Sequence, residues 1–364
     1  MSGDGGPPKP LRAVFICQAV DEDDPVQPTT VRWIEALARK RGVDHISVLA
    51  LRTGRHDLPA TVDVKRFGRS NRLATSAAFY KAIVGSLRLR PDCFFIYQGG
   101  PYPLLLLPFK VLRGIPIVQW KAHPVITRAM SFYARWCDDL ILTSARAAFP
   151  MDLAKVRVVG QGIDTERFRV EERAPLGDLI AVGRIAPTKR IDQMVRAVVH
   201  ANHSYGTGYR LNIYGPTLPH DEAYAAGVEA LIDRLGARDW VTLHGPVLQE
   251  RLPALLNGHR ASINFTIGAL DKTAAEAMAC GLPVVSTNDA VTEVIPPDLR
   301  SILVPDKHST EVQAGMIHEL LRRPEAEIAR IGQRLRALVV SDHSIERLFD
   351  RVLEEVETLL GDRG

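Results

Sequence analysis

Short apolar runs alternate with stretches of helical periodicity along most of the chain, the pattern of a parallel sheet covered by helices. In the first half the runs predict strands at Arg12–Cys17, Ile46–Leu51, Cys93–Tyr97, Pro116–Gln119, Leu140–Thr143 and Val156–Val159. Apolar residues at three- and four-residue spacing predict helices at Thr30–Arg41, Ala74–Arg88, Leu104–Leu112 and Val125–Trp136. The pattern then restarts, with strands at Gly177–Val182, Leu211–Tyr214, Val241–His244, Ala261–Thr266, Pro283–Ser286 and Ile302–Val304. Helices between them are expected at Ile191–His203, Ala223–Leu235, Gln249–Asn257 and Lys272–Cys280, and Thr310–Arg322 and Ser344–Leu360 follow as long amphipathic helices.

The stretch Glu171–Gly177, with two acids, Arg173, Pro175 and Gly177, reads as a linker. The expected fold class is therefore α/β, with two doubly wound Rossmann-like domains at 1–172 and 173–343. Ligands of open parallel sheets bind beyond the carboxyl ends of the strands, so two such domains are expected to face each other across a binding cleft.

Composition narrows the function. The 364 residues suffice for two cores. Lys+Arg (46) exceeds Asp+Glu (42) by only four, and the arginines are scattered, so no nucleic-acid partner is expected. Cys17, Cys93, Cys137 and Cys280 lie far apart with no metal-ligand spacing, which suits a reducing, cytoplasmic setting. No signal peptide is read in the Gly/Pro-rich Met1–Pro10. The longest apolar stretch, around Leu104–Leu107, is interrupted by Pro103, Pro108 and Lys110, well short of the ~20 residues of a membrane span.

The most informative segment is Ala261–Thr287. A strand runs into a short loop at Ile267–Asp271, and a helix opens at once on Lys272-Thr273, closed by Gly281 and Pro283. Asp271 suits the N-cap and Gly281 the C-cap. A helix opening at a strand's carboxyl end presents unpaired N–H groups and a positive dipole end, which suits a diphosphate. Lys272 and the Thr273 hydroxyl would add charge and a donor. Glu276 shares their face, and accepting the two vicinal hydroxyls of a ribose would give it a task there. Taken alone, the same residues are also what ordinary capping and a surface Lys–Glu pair require. A second element, Gly183-Arg184…Lys189-Arg190, follows the first strand of the second half. Gly183 lets backbone approach a ligand, and two cations beyond the strand end can neutralise a leaving diphosphate without a divalent metal.

Together, Val182-Gly183-Arg184…Lys189-Arg190-Ile191-Asp192, then Asp239-Trp240-Val241-Thr242-Leu243-His244-Gly245-Pro246-Val247, then Glu276-Ala277-Met278-Ala279-Cys280-Gly281-Leu282-Pro283-Val284-Val285 resemble the donor-binding half of family 4 glycosyltransferases. The resemblance covers about half of the chain and reaches upstream through Gly160-Gln161-Gly162-Ile163-Asp164…Phe168. It implies the GT-B fold and retaining transfer of a sugar from a nucleotide-diphosphate donor, the co-substrate, with no cofactor and no metal. By that resemblance Arg184 and Lys189 hold the diphosphate, Glu276 binds the ribose, backbone near Gly245 and Val247 meets the base, and the amides of Lys272 and Thr273 meet the phosphates. His123, in Trp120-Lys121-Ala122-His123, matches a histidine that approaches the donor sugar. The leaving phosphate takes the acceptor proton in a same-face attack, and 344–364 is expected to pack back on the first domain. Two departures stand out. Gly268 occupies the place of a second glutamate facing the sugar, with Asp271 as its substitute. The first loop reads Gln18-Ala19-Val20-Asp21-Glu22-Asp23-Asp24-Pro25 in place of a Gly-Gly pair.

The acceptor is open between a small molecule, a glycan and a lipid-linked group. The rival function is a sugar-nucleotide-binding partner or regulatory subunit without catalysis, motivated by Gly268. A nicotinamide enzyme is disfavoured because neither Cys17–Asp24 nor Val182–Lys189 supplies G-x-G-x-x-G. A metal site at Asp21–Asp24 is outweighed by a solvated acidic loop. Leu104–Arg113 could rest on the inner face of an anionic membrane, but an ordinary helix over the first sheet is the preferred reading.

Overall fold

The computed structural model describes residues 10–24, 27, 29–172 and 174–361. Nine residues of the N-terminal tail, Pro25 of the acidic loop and Arg173 of the expected linker lie outside the described residues. Two compact units divide the chain. The first runs to Thr143, takes up Phe149–Gly162 and is completed from Ile345 onward, while the second holds Ser144–Ala148 and Ile163–Ser344. The division falls at Gly162/Ile163 and not at the polar stretch near 172. The Ile163 amide already donates to the His343 carbonyl (2.8 Å), and within the polar stretch Glu171 N–H is held by Asn257 Oδ1 (2.9 Å). Polar composition marked a surface segment there, and its backbone hydrogen bonds assign it to the second unit.

The first unit opens with β1 (Leu11–Val20), α1 (Thr30–Ala38), β2 (Val43–Thr53), β3 (Val62–Arg66), α2 (Arg72–Ser86), β4 (Cys93–Tyr97) and α3 (Tyr102–Arg113). It continues with β5 (Ile117–Trp120), α4 (Arg128–Trp136), β6 (Leu140–Thr143) and β7 (Val156–Val158). The strands are parallel in the order β3-β2-β1-β4-β5-β6-β7. Strand β3 went unseen in the sequence because Val-Asp-Val-Lys-Arg is an edge strand, half-buried and paired only to β2.

The second unit comprises β8 (Gly177–Val182), α5 (Ile191–Tyr205), β9 (Leu211–Tyr214), α6 (Glu222–Arg234), β10 (Val241–Leu243), α7 (Leu252–Asn257), β11 (His259–Asn264) and α8 (Lys272–Ala279). Then follow β12 (Val284–Ser286), α9 (Asp289–Val294), α10 (Pro297–Leu303), α11 (Thr310–Leu321) and α12 (Glu325–Leu338). Its parallel order is β10-β9-β8-β11-β12. The expected strand at Ile302–Val304 is instead the end of α10. Its apolar triplet fits either element, and the buried pair Leu299 and Leu303, four residues apart behind Pro297, decides for the helix.

The last helix, α13 (Ile345–Gly361), belongs to the first unit. Its Leu348, Phe349, Val352 and Val356 join Trp33 of α1 and Phe15, Phe95 and Trp120 of the sheet in one core cluster. The Phe349 and Trp33 rings meet edge-on at 5.4 Å. On the opposite sheet face, Phe79 and Ile83 of α2 and Leu106 of α3 pack on Val14, Ile16, Phe94 and Ile117. Ala134 of α4 and Ile141 of β6 extend that layer.

In the second unit α12 lies against the end of α8. A Cβ at Gly332 would stand 1.7 Å from the Gly281 carbonyl oxygen, so only glycine permits this approach. Gly332→Ala is expected to lose about 1–3 kcal/mol through forced separation of the two helices. The check is a lower urea midpoint with an unchanged m-value.

Candidate active site

In the second sheet the crossover after β8 leads to β9 on one side, and the one after β11 leads to β12 on the other. Neighbouring strands β8 and β11 therefore flank a topological switch point, where a crevice opens beyond their carboxyl ends. Both segments singled out by sequence begin there: Gly183–Lys189 after β8 and Ile267–Lys272 after β11. The two loops are joined directly, since Ile267 N–H donates to the Thr188 carbonyl (2.8 Å).

Helix α8 starts for local reasons. Asp271 is the N-cap, its Oδ1 accepting from Thr273 N–H at 3.3 Å. The far end closes in a Schellman motif, with Leu282 N–H to Ala277 O (3.0 Å), Gly281 N–H to Met278 O (2.9 Å) and Gly281 at φ +73°. The loop ahead of α8 is held by Asn288, whose Nδ2 donates to the carbonyls of Thr266 (2.9 Å) and Ala269 (3.1 Å). Asn288 Oδ1 meanwhile caps α9 through Ala290 and Val291 N–H. Gly268 adopts φ +142°, a backbone shape that a glutamate would resist, so glycine here suits this loop's path.

Asp271 does more than cap. Its Oδ2 accepts from Lys189 Nζ (2.6 Å), Asn264 Nδ2 (2.8 Å) and Thr266 Oγ1 (2.8 Å). Although burial opposes ionisation, the Lys189 charge and these hydrogen bonds win and lower its pKa to about 2. Every lone pair pointing inward is engaged by the protein, so the structure gives Asp271 the part of organiser of Lys189 and α8, not of a group turned toward a sugar. The Thr273 hydroxyl is likewise committed. It lies 3.0 Å from Val182 O and 3.1 Å from Asp271 Oδ1, two acceptors for its one proton. The expected ligand donor at Thr273 is therefore a strut between α8 and the end of β8. Among the described residues the backbone amides of Lys272 and Ala274 have no hydrogen-bond partner.

Lys189 sits under Gly183. That glycine has φ +146°, and a Cβ on it would come within 2.9 Å of Lys189 Cε. Gly215, after β9, approaches still closer, for its Cβ would stand 1.9 Å from Gly183 O. Arg184, on the same loop, has its Nη1 3.9 Å from Asp221 Oδ2 near α6, and the side chain is 41% exposed.

Glu276, 2% exposed, lies one turn into α8 and accepts from Gln249 Nε2 at 3.3 Å. Burial drives its pKa up, and Lys272, Arg167 and Gln249 only partly offset that. The neighbouring Lys272 ammonium is driven down by the same burial, against the fields of Glu276 and Asp164. It has no hydrogen-bond partner among the described residues. Such a pair of ionisable groups, each displaced by burial at a switch point, is a functional-site signature.

Gly245 follows β10 at φ +73°, and its carbonyl accepts from Gly215 N–H (2.8 Å), while Val247 is half-buried in the stretch leading to Gln249. Beside them the rings of Tyr214 and His244 stack at 4.4 Å. His244 Nε2 donates to Asn212 Oδ1 (2.7 Å), Asn212 Nδ2 donates to His259 Nε2 (3.0 Å), and His259 Nδ1 donates to Leu255 O (2.7 Å). One tautomer of each histidine satisfies the whole chain. Sequence reading missed this relay, along with Asn264, Thr266, Asn288 and Gln249. The available signal was polar residues alternating with Ile263 and Phe265 at a strand's carboxyl end.

His123 belongs to the first unit, exposed in the loop after β5, where its Nδ1 faces both the carbonyl (3.0 Å) and the amide (3.2 Å) of Val125. The acidic loop of that unit is internally paired. Asp23 takes the Arg55 guanidinium at 3.0 Å and Asp24 takes Arg52 at 2.8 Å.

Comparison with known proteins bears on the same unit. Residues 177–323 match the family described as glycosyl transferases group 1. That match spans β8 to α11 and so contains every site element of the second unit. D-inositol 3-phosphate glycosyltransferase of Mycobacteroides abscessus is 31% identical over 193 residues, 49% of this chain and 42% of that protein. Its counterpart from Mycolicibacterium smegmatis is 29% identical over 212 residues, 54% of this chain and 47% of its own. The chain thus matches less than half the length of these curated relatives. Among solved structures, Anabaena Alr3699/HepE in complex with UDP and glucose superposes with a TM-score of 0.73 at 15% identity, covering 96% of this chain and all of the other. Sucrose-phosphate synthase from Thermosynechococcus elongatus gives 0.75 at 15% identity, covering 97% of this chain and 100% of its own. These likenesses show the fold: two parallel-sheet α/β domains of the GT-B type.

Proposed function

We propose that the chain is a retaining glycosyltransferase that moves a sugar from a nucleotide-diphosphate donor to an acceptor hydroxyl without a divalent metal. The observation that carries this reading is the switch-point cluster: an ammonium fixed at 2.6 Å from a buried Asp271, an open-ended α8, and the buried Glu276 one turn on. The family match over residues 177–323 supports the same reaction class.

In this reading the diphosphate meets the Lys272 and Ala274 amides and the Lys189 ammonium, which spends one of its three protons on Asp271. Arg184, held by nothing nearer than the 3.9 Å contact to Asp221, turns onto the leaving group. Glu276 accepts from the ribose hydroxyls, and the Gly245–Val247 backbone meets the base. Fixed positive charge at a departing diphosphate stabilises the transition state at no cost of reorganisation. The bond from the anomeric carbon to the diphosphate breaks as the acceptor oxygen attacks the same face, and the departing phosphate oxygen takes the acceptor proton. A cytoplasmic setting accords with four buried free thiols.

The test is a panel of nucleotide sugars scored for thermal stabilisation, then for sugar release with acceptors that include an inositol phosphate, with and without chelator. UDP-glucose belongs in it because Anabaena Alr3699/HepE was solved with that molecule. A donor at a hundred times its Kd should stabilise by ~2.7 kcal/mol. Arg184→Ala should lower kcat about 10²-fold, with little change in apo Tm because the side chain is part-exposed and its one ion pair, to Asp221, is long at 3.9 Å. A donor that binds without sugar release under any acceptor would instead favour a regulatory, non-catalytic subunit. No stabilisation by any donor would sink the assignment.

A further inference from the structure

Charge is distributed very unevenly along this chain. Residues 68–137 hold ten Lys and Arg against the single Asp92, a net +9, while the remaining 36 basic and 41 acidic residues leave the rest at −5. That segment contains α2, α3 and α4, which cover one face of the first sheet. The three helices are contiguous. Tyr80 of α2 meets Phe109 of α3 at 6.2 Å, and Lys110 of α3 donates to the Cys137 carbonyl at the end of α4 (2.7 Å).

Their outer surface is apolar as well as basic. Near the carboxyl ends of α3 and α4, Val111 is 73% exposed, Leu112 79% and Trp136 70%, Phe132 is exposed one turn before Trp136, and α2 adds Leu73 and Val84. Interspersed are the exposed Arg72, Lys81, Arg88, Arg90, Arg113 and Arg128, none of which has an ion pair among the described residues. No exposed acid interrupts the three helices. A solvated helix face carries both signs of charge, and basic residues at helix ends answer the dipole, but neither explains large apolar side chains left in water.

We infer that the α2–α4 face docks on an anionic lipid surface, with Val111, Leu112, Phe132 and Trp136 entering the interface and the surrounding arginines engaging phosphate headgroups. The charge selects this occupant. A second copy of the chain would set two +9 segments against each other, and a nucleic acid has no use for Val111 and Leu112. Among the described residues no helix is long and apolar enough to cross a membrane, so the contact lies in the plane of the interface. Leu104–Arg113, expected as an ordinary helix over the first sheet, is one on its inner side, where Leu106 packs on the sheet, and the proposal adds a docking role for its outer side.

The experiment is co-sedimentation of the full chain with phosphatidylcholine vesicles containing 30% phosphatidylglycerol, compared with pure phosphatidylcholine. Each basic side chain at an anionic leaflet contributes about fivefold in affinity. Partitioning should therefore be at least tenfold stronger on the anionic vesicles and should fall as salt is raised. The triple variant Arg88→Glu, Arg113→Glu, Arg128→Glu should lose about a hundredfold, while its thermal midpoint stays that of the parent. A blue shift of tryptophan emission on vesicle addition should vanish in Trp136→Phe. Equal partition on neutral vesicles, retained binding by the triple variant, or a shift that survives Trp136→Phe would overturn the proposal. So would binding to a short duplex DNA as tight as to the anionic vesicles. None of these readouts requires sugar transfer, so the proposal stands or falls separately from the catalytic one.

Discussion

Lys189→Ala is expected to lower kcat by about 10²–10³-fold and at the same time to destabilise the second unit by about 3–5 kcal/mol. The activity loss follows from removing a preorganised cation at the leaving diphosphate. The stability loss follows from leaving Asp271, buried and deprived of its partner at 2.6 Å, as an uncompensated carboxylate. The two effects are separable. Lys189→Met with Asp271→Asn removes both charges and keeps one acceptor oxygen toward Asn264 and Thr266 at the expense of the Thr273 cap, so part of the stability should return while kcat stays low. Recovery of kcat together with stability would make Lys189 a structural lysine only.

The same pair sets an acid limit. The Asp271 pKa is lowered from 3.8 to about 2 in the folded chain. A depressed carboxylate contributes stability that is present above the unfolded pKa and is lost as pH falls through the folded one, here between about pH 4 and pH 2. Near neutrality the contribution is on the order of 2 kcal/mol. Urea midpoints should therefore fall across that window in the parent and fall less in the double variant.

How much of this site could be read beforehand follows residue chemistry closely. The α8 boundaries were legible because Asp271 and Gly281 are capping residues, and β4, β6, β8 and β9 because each is a short, bounded apolar run. Helix α12 was legible too, through Ile328, Ile331 and Leu335 at helical spacing, but went unread. The roles of Thr273 and Asp271 were not legible. Nothing in Asp-Lys-Thr says that the hydroxyl will be taken by Val182, a carbonyl ninety-one positions away in sequence, or the carboxylate by Lys189 on another loop. Convergence at a switch point depends on strand order. Arg184 shares a loop with Lys189 and leans toward Asp221, because side-chain direction at a strand's end depends on neighbours that the local sequence does not contain.

Glu276→Gln should separate what the site needs from what the fold prefers. The carboxylate is raised by burial even with Lys272 beside it, so desolvation exceeds the pairing that opposes it. A raised carboxyl pKa costs the folded state stability once pH passes the unfolded value, and the cost is complete above the folded one. Neutral glutamine, the same size and able to meet Gln249, removes that penalty. The apo protein should melt a few degrees higher at pH 8, with the gain vanishing below about pH 4, where both states carry a protonated Glu276. Binding should move the other way. A charged acceptor to ribose hydroxyls contributes about 1.5–3 kcal/mol, so the Kd for the donor should rise roughly ten- to a hundredfold. Calorimetric titration of donor into both proteins, alongside their melting curves, gives the comparison. A variant that melts higher and binds the donor as tightly as the parent would remove Glu276 from the ribose site. One that melts lower would show that Lys272 depends on that carboxylate for its own charge.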